Sequence, residues 1–556
     1  MATEKQVRFE LNKPVDFVII GAGSAGGILA KELSTNGFDV VVLEQGPFRQ
    51  PSDFTHDELG VMFFHELLGG GTAVSQQTFR DDASKVAEVP QQMPPAQYSQ
   101  GVGGSSVHYT ANFWRFHDVD FKERSLLGPI SGTNFADWPI DYPELEPYYT
   151  KVDWEIGVSG EPGPFDPPRS KPYPMSPIPV KSSGVLLERG ALKLGLHPQP
   201  APLAILSQPY RDRPACINCG YCMGFGCEVG AKSSTLAAMI PYALASGRCE
   251  IRPECAVFRI QTNAQGKVDE VLYYDAEGNE RSQKAKAVVL SANGAETPRL
   301  LLNSASERHP DGLANSSGFV GKNLMFNCHS LANGVFEHPL NDYKGVQVTR
   351  IIHDFYDSDP ARGFYGGGGI DARPLFSATP ILFALAGMSP DAPAWGAGFK
   401  ERVAHNFSRQ MSILGSATSL AQDGNNITLD PTHKDSWGRP ALRVTYKDHP
   451  DDLAMAGFLI DRGMEIFDAA GASTSWAYPV SSSQWSAHLL GTCRMGDDPQ
   501  TSVVDRYHRS HDISNLFICD GSSFVTSGRG QPTMTIMALA FRAAEHTARA
   551  ARANEI

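Results

Sequence analysis

No apolar run of eighteen or more residues occurs in this 556-residue chain, so it offers no candidate for a membrane-spanning helix. Positive charge is also short, with 48 Lys and Arg against 61 Asp and Glu and a formal net charge of −13. The basic residues never gather into a dense run, which excludes a nucleic acid or an anionic membrane held by a broad basic surface. The opening stretch MATEKQVRFELNKP is polar and mixed in charge, and does not read as a secretory signal. Cysteine is sparse and odd in number: of nine, five (Cys249, Cys255, Cys328, Cys493 and Cys519) are scattered. That distribution excludes a disulfide framework as the basis of the fold.

What is present begins with length, which predicts two or three domains of ordinary globular composition, 41% apolar and 20% charged. The strongest local pattern is VDFVIIGAGSAGGILAKELSTNGFDVVVLEQG. Val15 to Ile20 suits a buried parallel strand. It runs into Gly21-x-Gly23-x-x-Gly26, a helical pattern, a second apolar run at Val40 to Leu43, and Glu44. Gly21 permits the tight turn, Gly23 the approach of a pyrophosphate, and Gly26 close packing of helix on strand. The helix N-terminus at Ser24 offers free N–H groups to phosphate, and Glu44 can accept from ribose hydroxyls. This is a dinucleotide site; the motif alone does not separate FAD from NAD.

A second glycine loop, YSQGVGGSSVHYTANFW, spans Tyr98 to Trp114, and a C-terminal NLFICDGSSF reads as a strand ending at Asp520-Gly521-Ser522. An amphipathic helix follows from about Thr533 to Ala548. The four remaining cysteines crowd into CINCGYCMGFGC, spaced C-x2-C-x2-C-x4-C. Zinc commonly uses two separated C-x2-C halves, and no second half is nearby. The bacterial ferredoxin run is C-x2-C-x2-C-x3-C-P, from which this stretch departs by one residue and by Glu228 in place of Pro. From the residues alone, a cluster, a zinc ion and a disulfide-bonded or reduced loop all stay open.

Taken in order, the N-terminal motif, GVGGSSVH, SANGAETPRLLLNS, HLLGTCRMG and DGSS…PTMTIMALA resemble the glucose–methanol–choline (GMC) family of FAD oxidoreductases over nearly the whole chain. Within it the chain most resembles bacterial gluconate, sorbitol and glucoside 3-dehydrogenase flavin subunits, which carry a cysteine-rich insert at the same place. The resemblance selects FAD and implies an α/β fold: a discontinuous Rossmann-like FAD-binding domain with an inserted α+β substrate domain built on an antiparallel sheet. We draw the FAD-binding domain at 14–130, 228–325 and 485–556, the substrate domain at 131–215 and 326–484, and the cysteine insert at 216–227. The Pro- and Gly-dense stretch from Gly128 to Pro214 reads as irregular coverage, and NITLDP and ALRVTYK as antiparallel strands.

The resemblance also assigns residues. Cofactor-binding positions are Gly21, Gly23, Ser24, Gly26, Glu44, Gly103, Gly104, Ser105, His108, Val257, Ala292, Asp520, Gly521, Gln531 and Thr533. His488, heading HLLGTCRMG, matches the family's catalytic base; imidazole suits that role because it titrates near neutrality. Gln531 stands in GQPT where the family usually has His or Asn; its amide cannot take a proton but can bond the substrate oxygen. His108 lies in a context that is bonded to the flavin in some members and not in others. Cys216, Cys219, Cys222 and Cys227 are the cluster ligands, with a three-iron (3Fe–4S) cluster ahead of a four-iron (4Fe–4S) one.

The implied activity is a dehydrogenase of a sugar, sugar acid or glycoside alcohol. It sends hydride to flavin N5 and electrons through the cluster to an external acceptor. An oxygen-using oxidase and a lyase with structural FAD are the alternatives. Implied partners are a small export or assembly subunit and a cytochrome c acceptor, with a periplasmic location through that subunit's signal or a cytoplasmic one.

Overall fold

The computed structural model describes residues 6–64, 76–91, 93–375 and 377–556. The first sheet has seven strands and grows outward from Val15–Ile20. This strand pairs in parallel with Val40–Leu43 on one side and with Glu280–Leu290 on the other. Cys249–Arg252 extends the parallel set beyond Val40–Leu43, and Leu516–Ile518 joins Glu280–Leu290 in parallel.

Glu280–Leu290 serves two sheet environments, and its sequence shows why. Its first half alternates exposed and buried residues and pairs antiparallel with Val268–Tyr274. Its second half, from Ala287 to Leu290, is wholly buried and lies in the parallel set. Alternation suits a ladder with one wet face, whereas a continuous apolar run suits a strand covered on both faces. Ala256–Thr262 completes the meander, with a register shift between Val257 and Arg259.

Helix Ser24–Thr35 packs against the last helix, Thr533–Arg552. The contact is close because the last helix buries small residues, among them Ala540, Ala543 and Ala544. Helix packing therefore brings the C-terminal motif over the N-terminal glycine turn.

A second, six-stranded sheet is antiparallel, in the order Thr474–Ala477, His329–Val335, Gln410–Ala417, Gly368–Arg373, Arg350–Ile352, Pro198–Pro200. Helix Pro450–Ala470 covers it and packs on helix Ser182–Lys193. The strands expected at NITLDP and ALRVTYK form and pair antiparallel, as Asn426–Lys434 and Pro440–Thr445, but in a separate three-stranded sheet to which Gln77–Arg80 adds in parallel. So the α/β fold with an antiparallel second sheet is as expected.

The stretch 128–214 departs from the expected irregular coverage. It contains helices Tyr142–Val152 and Ser182–Lys193. Pro143 sits in the first turn of the former, where a missing N–H costs nothing, and Asp141 caps that turn by accepting from the Glu144 N–H at 2.9 Å. Pro143 thus marks a helix start, while the proline-dense run from 162 to 179 is irregular as expected. Among the described residues no helix is long and apolar enough to cross a membrane.

Candidate active site

The parallel strands end at one cleft, where about 1160 Å³ of empty space is partly open to solvent. Gly21, Gly23 and Ser24 line it from the first turn, Gly104 and Ser105 from the second glycine loop, and Ala292, Asp520, Gly521 and Thr533 from the later strand ends. Close backbone approach explains two glycines. A Cβ on Gly26 would sit 1.9 Å from the Gly21 carbonyl oxygen. A Cβ on Gly104, already at φ +52°, would sit 2.7 Å from the Gly23 Cα. The two glycine loops therefore meet backbone to backbone, tied by the Gly103 N–H donating to the Ala22 carbonyl at 2.9 Å. Gly26 and Gly103 build this junction rather than line the space.

Helices Ser24–Thr35 and Thr533–Arg552 both start at this cleft, and neither has an acidic residue in its first turn. Their free N–H groups and positive dipole ends suit an anionic, oxygen-rich ligand. Glu44 is 6% exposed and accepts from the N–H groups of Ala22 (2.9 Å), Gly46 (2.9 Å) and Gly101 (3.1 Å). Burial raises its pKa against the pull of those donors. Asp520 is bonded likewise, accepting from the N–H groups of Ser522 (2.8 Å) and Asn293 (3.0 Å) and from the Thr297 hydroxyl (2.6 Å). Val257, beside the irregularity in its strand, also lines the cleft. A dinucleotide such as FAD fits this set: glycine turns for phosphate and a carboxylate at the end of the second strand for ribose.

His488 lines the same cleft. Its Nδ1 lies 3.1 Å from Asn327 Oδ1. The Asn327 amide nitrogen donates to three carbonyls, of Ala417 (3.2 Å), Gly528 (3.2 Å) and Ser527 (3.5 Å). Three acceptors around one end of the amide turn its oxygen toward the histidine, so Nδ1 carries the proton and Nε2 keeps a lone pair. Burial, and after it the proximity of the His329 ring and the Arg373 guanidinium, lowers the His488 pKa to about 3, so the ring is neutral at physiological pH. His329 meets it edge to face at 5.3 Å between centroids.

Other expected residues are placed differently. Gln531 is half-buried directly before Pro532 and Thr533, which line the cleft, and its side chain makes no hydrogen bond among the described residues. His108 is 6% exposed, does not line the cleft, and neither ring nitrogen has a hydrogen-bond partner among the described residues. Burial and the charges of Lys232 and Arg49 take its pKa to about 3.

The cysteine loop abuts the second glycine loop, the Gly224 N–H donating to the His108 carbonyl at 2.8 Å. All four of its thiols are free. No three of these sulfurs lie within 4.8 Å of one another. A single zinc with bonds of about 2.3 Å would need sulfurs about 3.8 Å apart, so a closed mononuclear site is not formed. A cluster bonds its thiolates through different irons and holds them wider apart. Two of the sulfurs are met by backbone donors: Cys216 Sγ accepts from the Asn218 N–H (3.4 Å) and Cys227 Sγ from the Lys232 N–H (3.5 Å). The Lys232 ammonium, 3% exposed, donates to the carbonyls of Cys222 (2.6 Å) and Phe225 (2.7 Å). Burial pushes the Cys222 thiol up to about 12, against the pull of Lys232.

Sequence reasoning missed Asn327, His329 and Arg373. Asn327 sits at φ +57°, a conformation asparagine tolerates, but MFNCHS carries no motif that announces it.

Comparison with known proteins gives two GMC oxidoreductase family matches, at residues 180–329 and 421–540. A 2-methyl-1,2-propanediol dehydrogenase of Mycolicibacterium austroafricanum is 35% identical over 96% of this chain and 95% of that protein. The fructose dehydrogenase large subunit of Gluconobacter japonicus is 30% identical, covering 95% and 97%. A gluconate 2-dehydrogenase flavoprotein of Pantoea cypripedii is 28% identical, covering 96% and 93%. Among solved structures, a formate oxidase aligns with a TM-score of 0.66 at 16% identity, covering 99% of this chain and all 100% of that one. Pyridoxine 4-oxidase from Mesorbium loti aligns at 0.62 and 18%, covering 96% and 99%.

Proposed function

Because the chain belongs to the GMC oxidoreductase family, we propose that it is a dehydrogenase oxidising an alcohol of a sugar, sugar acid, glycoside or smaller polyol. It is an FAD-dependent oxidoreductase acting on CH–OH groups. FAD, when bound, supplies the hydride acceptor. Gly21, Gly23, Ser24, Glu44, Gly104, Ser105, Val257, Ala292, Asp520, Gly521 and Thr533 would hold it, with Gly26 and Gly103 shaping the turn. His488 takes the hydroxyl proton at Nε2, because Asn327 occupies Nδ1–H. The same Asn327 oxygen stabilises the imidazolium that results. Gln531 orients the substrate oxygen through its amide.

Cys216, Cys219, Cys222 and Cys227 would hold an iron–sulfur cluster, three-iron ahead of four-iron, whose chemistry is one-electron relay to an external acceptor. Its place beside the 103–108 loop supports that use. A cytochrome c acceptor and a small export subunit, with periplasmic rather than cytoplasmic residence, belong to the same reading. So does the division into FAD-binding, substrate and cysteine segments. Relatives named as a large subunit and a flavoprotein support multi-subunit assembly.

The observation that carries the reading is a neutral histidine with a fixed tautomer in the dinucleotide cleft. The test mixes the holoenzyme anaerobically with a panel of sugars, glycosides and diols, and follows flavin bleaching, dye reduction, iron and acid-labile sulfide. Bleaching, dye reduction and stoichiometric iron and sulfide support the reading. Fast peroxide formation in air without a dye makes the chain an oxidase, and turnover without bleaching makes it a lyase.

A further inference from the structure

Outside the cleft, three potential metal ligands converge. Ligand atoms of His117, Asp166 and His353 all lie within 4.8 Å of one another, the one such group of three among the described residues. They come from distant parts of the chain. His117 precedes helix Asp118–Leu127, His353 follows strand Arg350–Ile352, and Asp166 sits in the irregular stretch before Ser182. None of them lines the cleft.

The group is enclosed and under-satisfied. His117 is 8% and His353 3% exposed. His353 Nδ1 has one long ion-pair contact, 3.4 Å from Asp166 Oδ1, and among the described residues neither ring nitrogen makes a well-aligned hydrogen bond. A buried imidazole so weakly engaged is costly, since it has given up water for a single long contact.

The neighbours hold all three side chains in place. Asp166 accepts from Gln199 Nε2 at 2.8 Å and from the Gly163 N–H at 3.0 Å. The His117 ring stacks on Tyr356 at 3.5 Å, and His353 meets Trp114 edge to face at 4.6 Å. Hydrogen bonds thus orient Asp166 in the way a metal ligand is oriented from outside, and packing alone fixes the two rings. Charge agrees: Asp166, Asp120 and Glu123 bring three carboxylates, and Arg529, paired with the latter two, brings one guanidinium. A divalent cation would cancel the excess.

We infer that His117, Asp166 and His353 bind one divalent first-row transition ion of the zinc type. Two imidazoles and a carboxylate suit zinc or ferrous iron and not calcium or magnesium, which take oxygen ligands. The ion ties the irregular Asp166 stretch to the second sheet and to the head of helix Asp118–Leu127. With bonds of about 2.0–2.2 Å, the donors close by less than about 2 Å on binding, a side-chain rotation. The inference does not rest on the proposed dehydrogenase activity.

The test titrates Zn²⁺ by calorimetry into holoenzyme that has been dialysed against a chelator. One equivalent should bind to the wild type and to Cys219→Ser, and none to Asp166→Asn or His353→Gln. Binding that survives in both of those variants, disappears in Cys219→Ser, or is absent from the wild type overturns the inference. X-ray absorption on the wild-type complex gives an answer independent of variant folding. Imidazole and oxygen ligands only are expected, and a sulfur shell near 2.3 Å would move the ion to the cysteine loop. The same Zn²⁺ should raise the wild-type melting temperature and leave that of Asp166→Asn unmoved.

Discussion

Asn327→Ala removes the oxygen that holds His488 Nδ1–H at 3.1 Å and leaves the base itself untouched. Two effects follow on different sides of the barrier. In the ground state the bond selects the tautomer with a free Nε2 by about 1 kcal/mol, a ratio of roughly 5 to 1, so losing it cuts the reactive fraction by less than about 2-fold. As the ring takes the proton, the bond becomes charge-assisted, worth about 1.5–3 kcal/mol, and only the increase of about 0.5–2 kcal/mol lowers the barrier. Together these predict a loss of about 4- to 50-fold in the rate of anaerobic flavin reduction. His488→Ala should lose more, about 10²–10⁴-fold. The assay is stopped-flow bleaching at saturating substrate across pH 6–9. Because burial already holds His488 neutral there, the Asn327→Ala deficit should be the same at every pH. Wild-type rates in the variant, or a deficit that vanishes at one end of the range, would refute the tautomer argument.

Arg529→Met strands Asp120 and Glu123, both buried and paired to its guanidinium, and should destabilise the protein by about 3–5 kcal/mol, read from denaturant midpoints; Arg529→Lys should recover part of it. Cys222→Ser should abolish iron and acid-labile sulfide and dye reduction while anaerobic flavin bleaching by substrate persists, checked by metal analysis beside stopped flow. Acid should unfold the protein early. His108 and His508 are buried with pKa values lowered to about 3, so the unfolded chain binds protons that the folded one refuses. Their contribution is complete above about pH 6.5 and falls by about 1.4 kcal/mol per unit for each as pH drops toward 3. A midpoint unchanged between pH 7 and pH 5, measured by thermal melts, would contradict this.

The parts of the fold legible in the sequence are those whose signal is local. Val15–Ile20, interrupted only by Asp16, and Val40–Leu43 are apolar runs, as strands buried on both faces require. The last helix reads from its small-residue face and begins at Thr533 as expected, running on to Arg552. Helices Tyr142–Val152 and Ser182–Lys193 were hidden because proline density was weighed without regard to position. Pro143 falls in a first turn, where it is harmless, and Pro147 interrupts only one bond. Pairing of Gln77–Arg80 with Pro440–Thr445 joins residues more than 350 positions apart, and no local pattern encodes such a register.

The same distinction divides the site. Gly21, Gly26 and Glu44 are legible because a phosphate turn dictates both residue type and spacing within one βαβ unit. Asn327 is not, because its role is defined by what surrounds it: three carbonyls from the Ala417 and Ser527–Gly528 backbones at one end and an imidazole at the other. Any residue with a fixed acceptor at that point would serve, so the requirement leaves no spacing to find. His117, Asp166 and His353 repeat the lesson at larger scale, since their nearest sequence separation is 49 residues. Four cysteines spaced like those of the 216–227 loop raise the question of a metal from the sequence alone. A ligand set assembled by tertiary packing becomes visible only when buried, weakly engaged nitrogens are found facing a carboxylate.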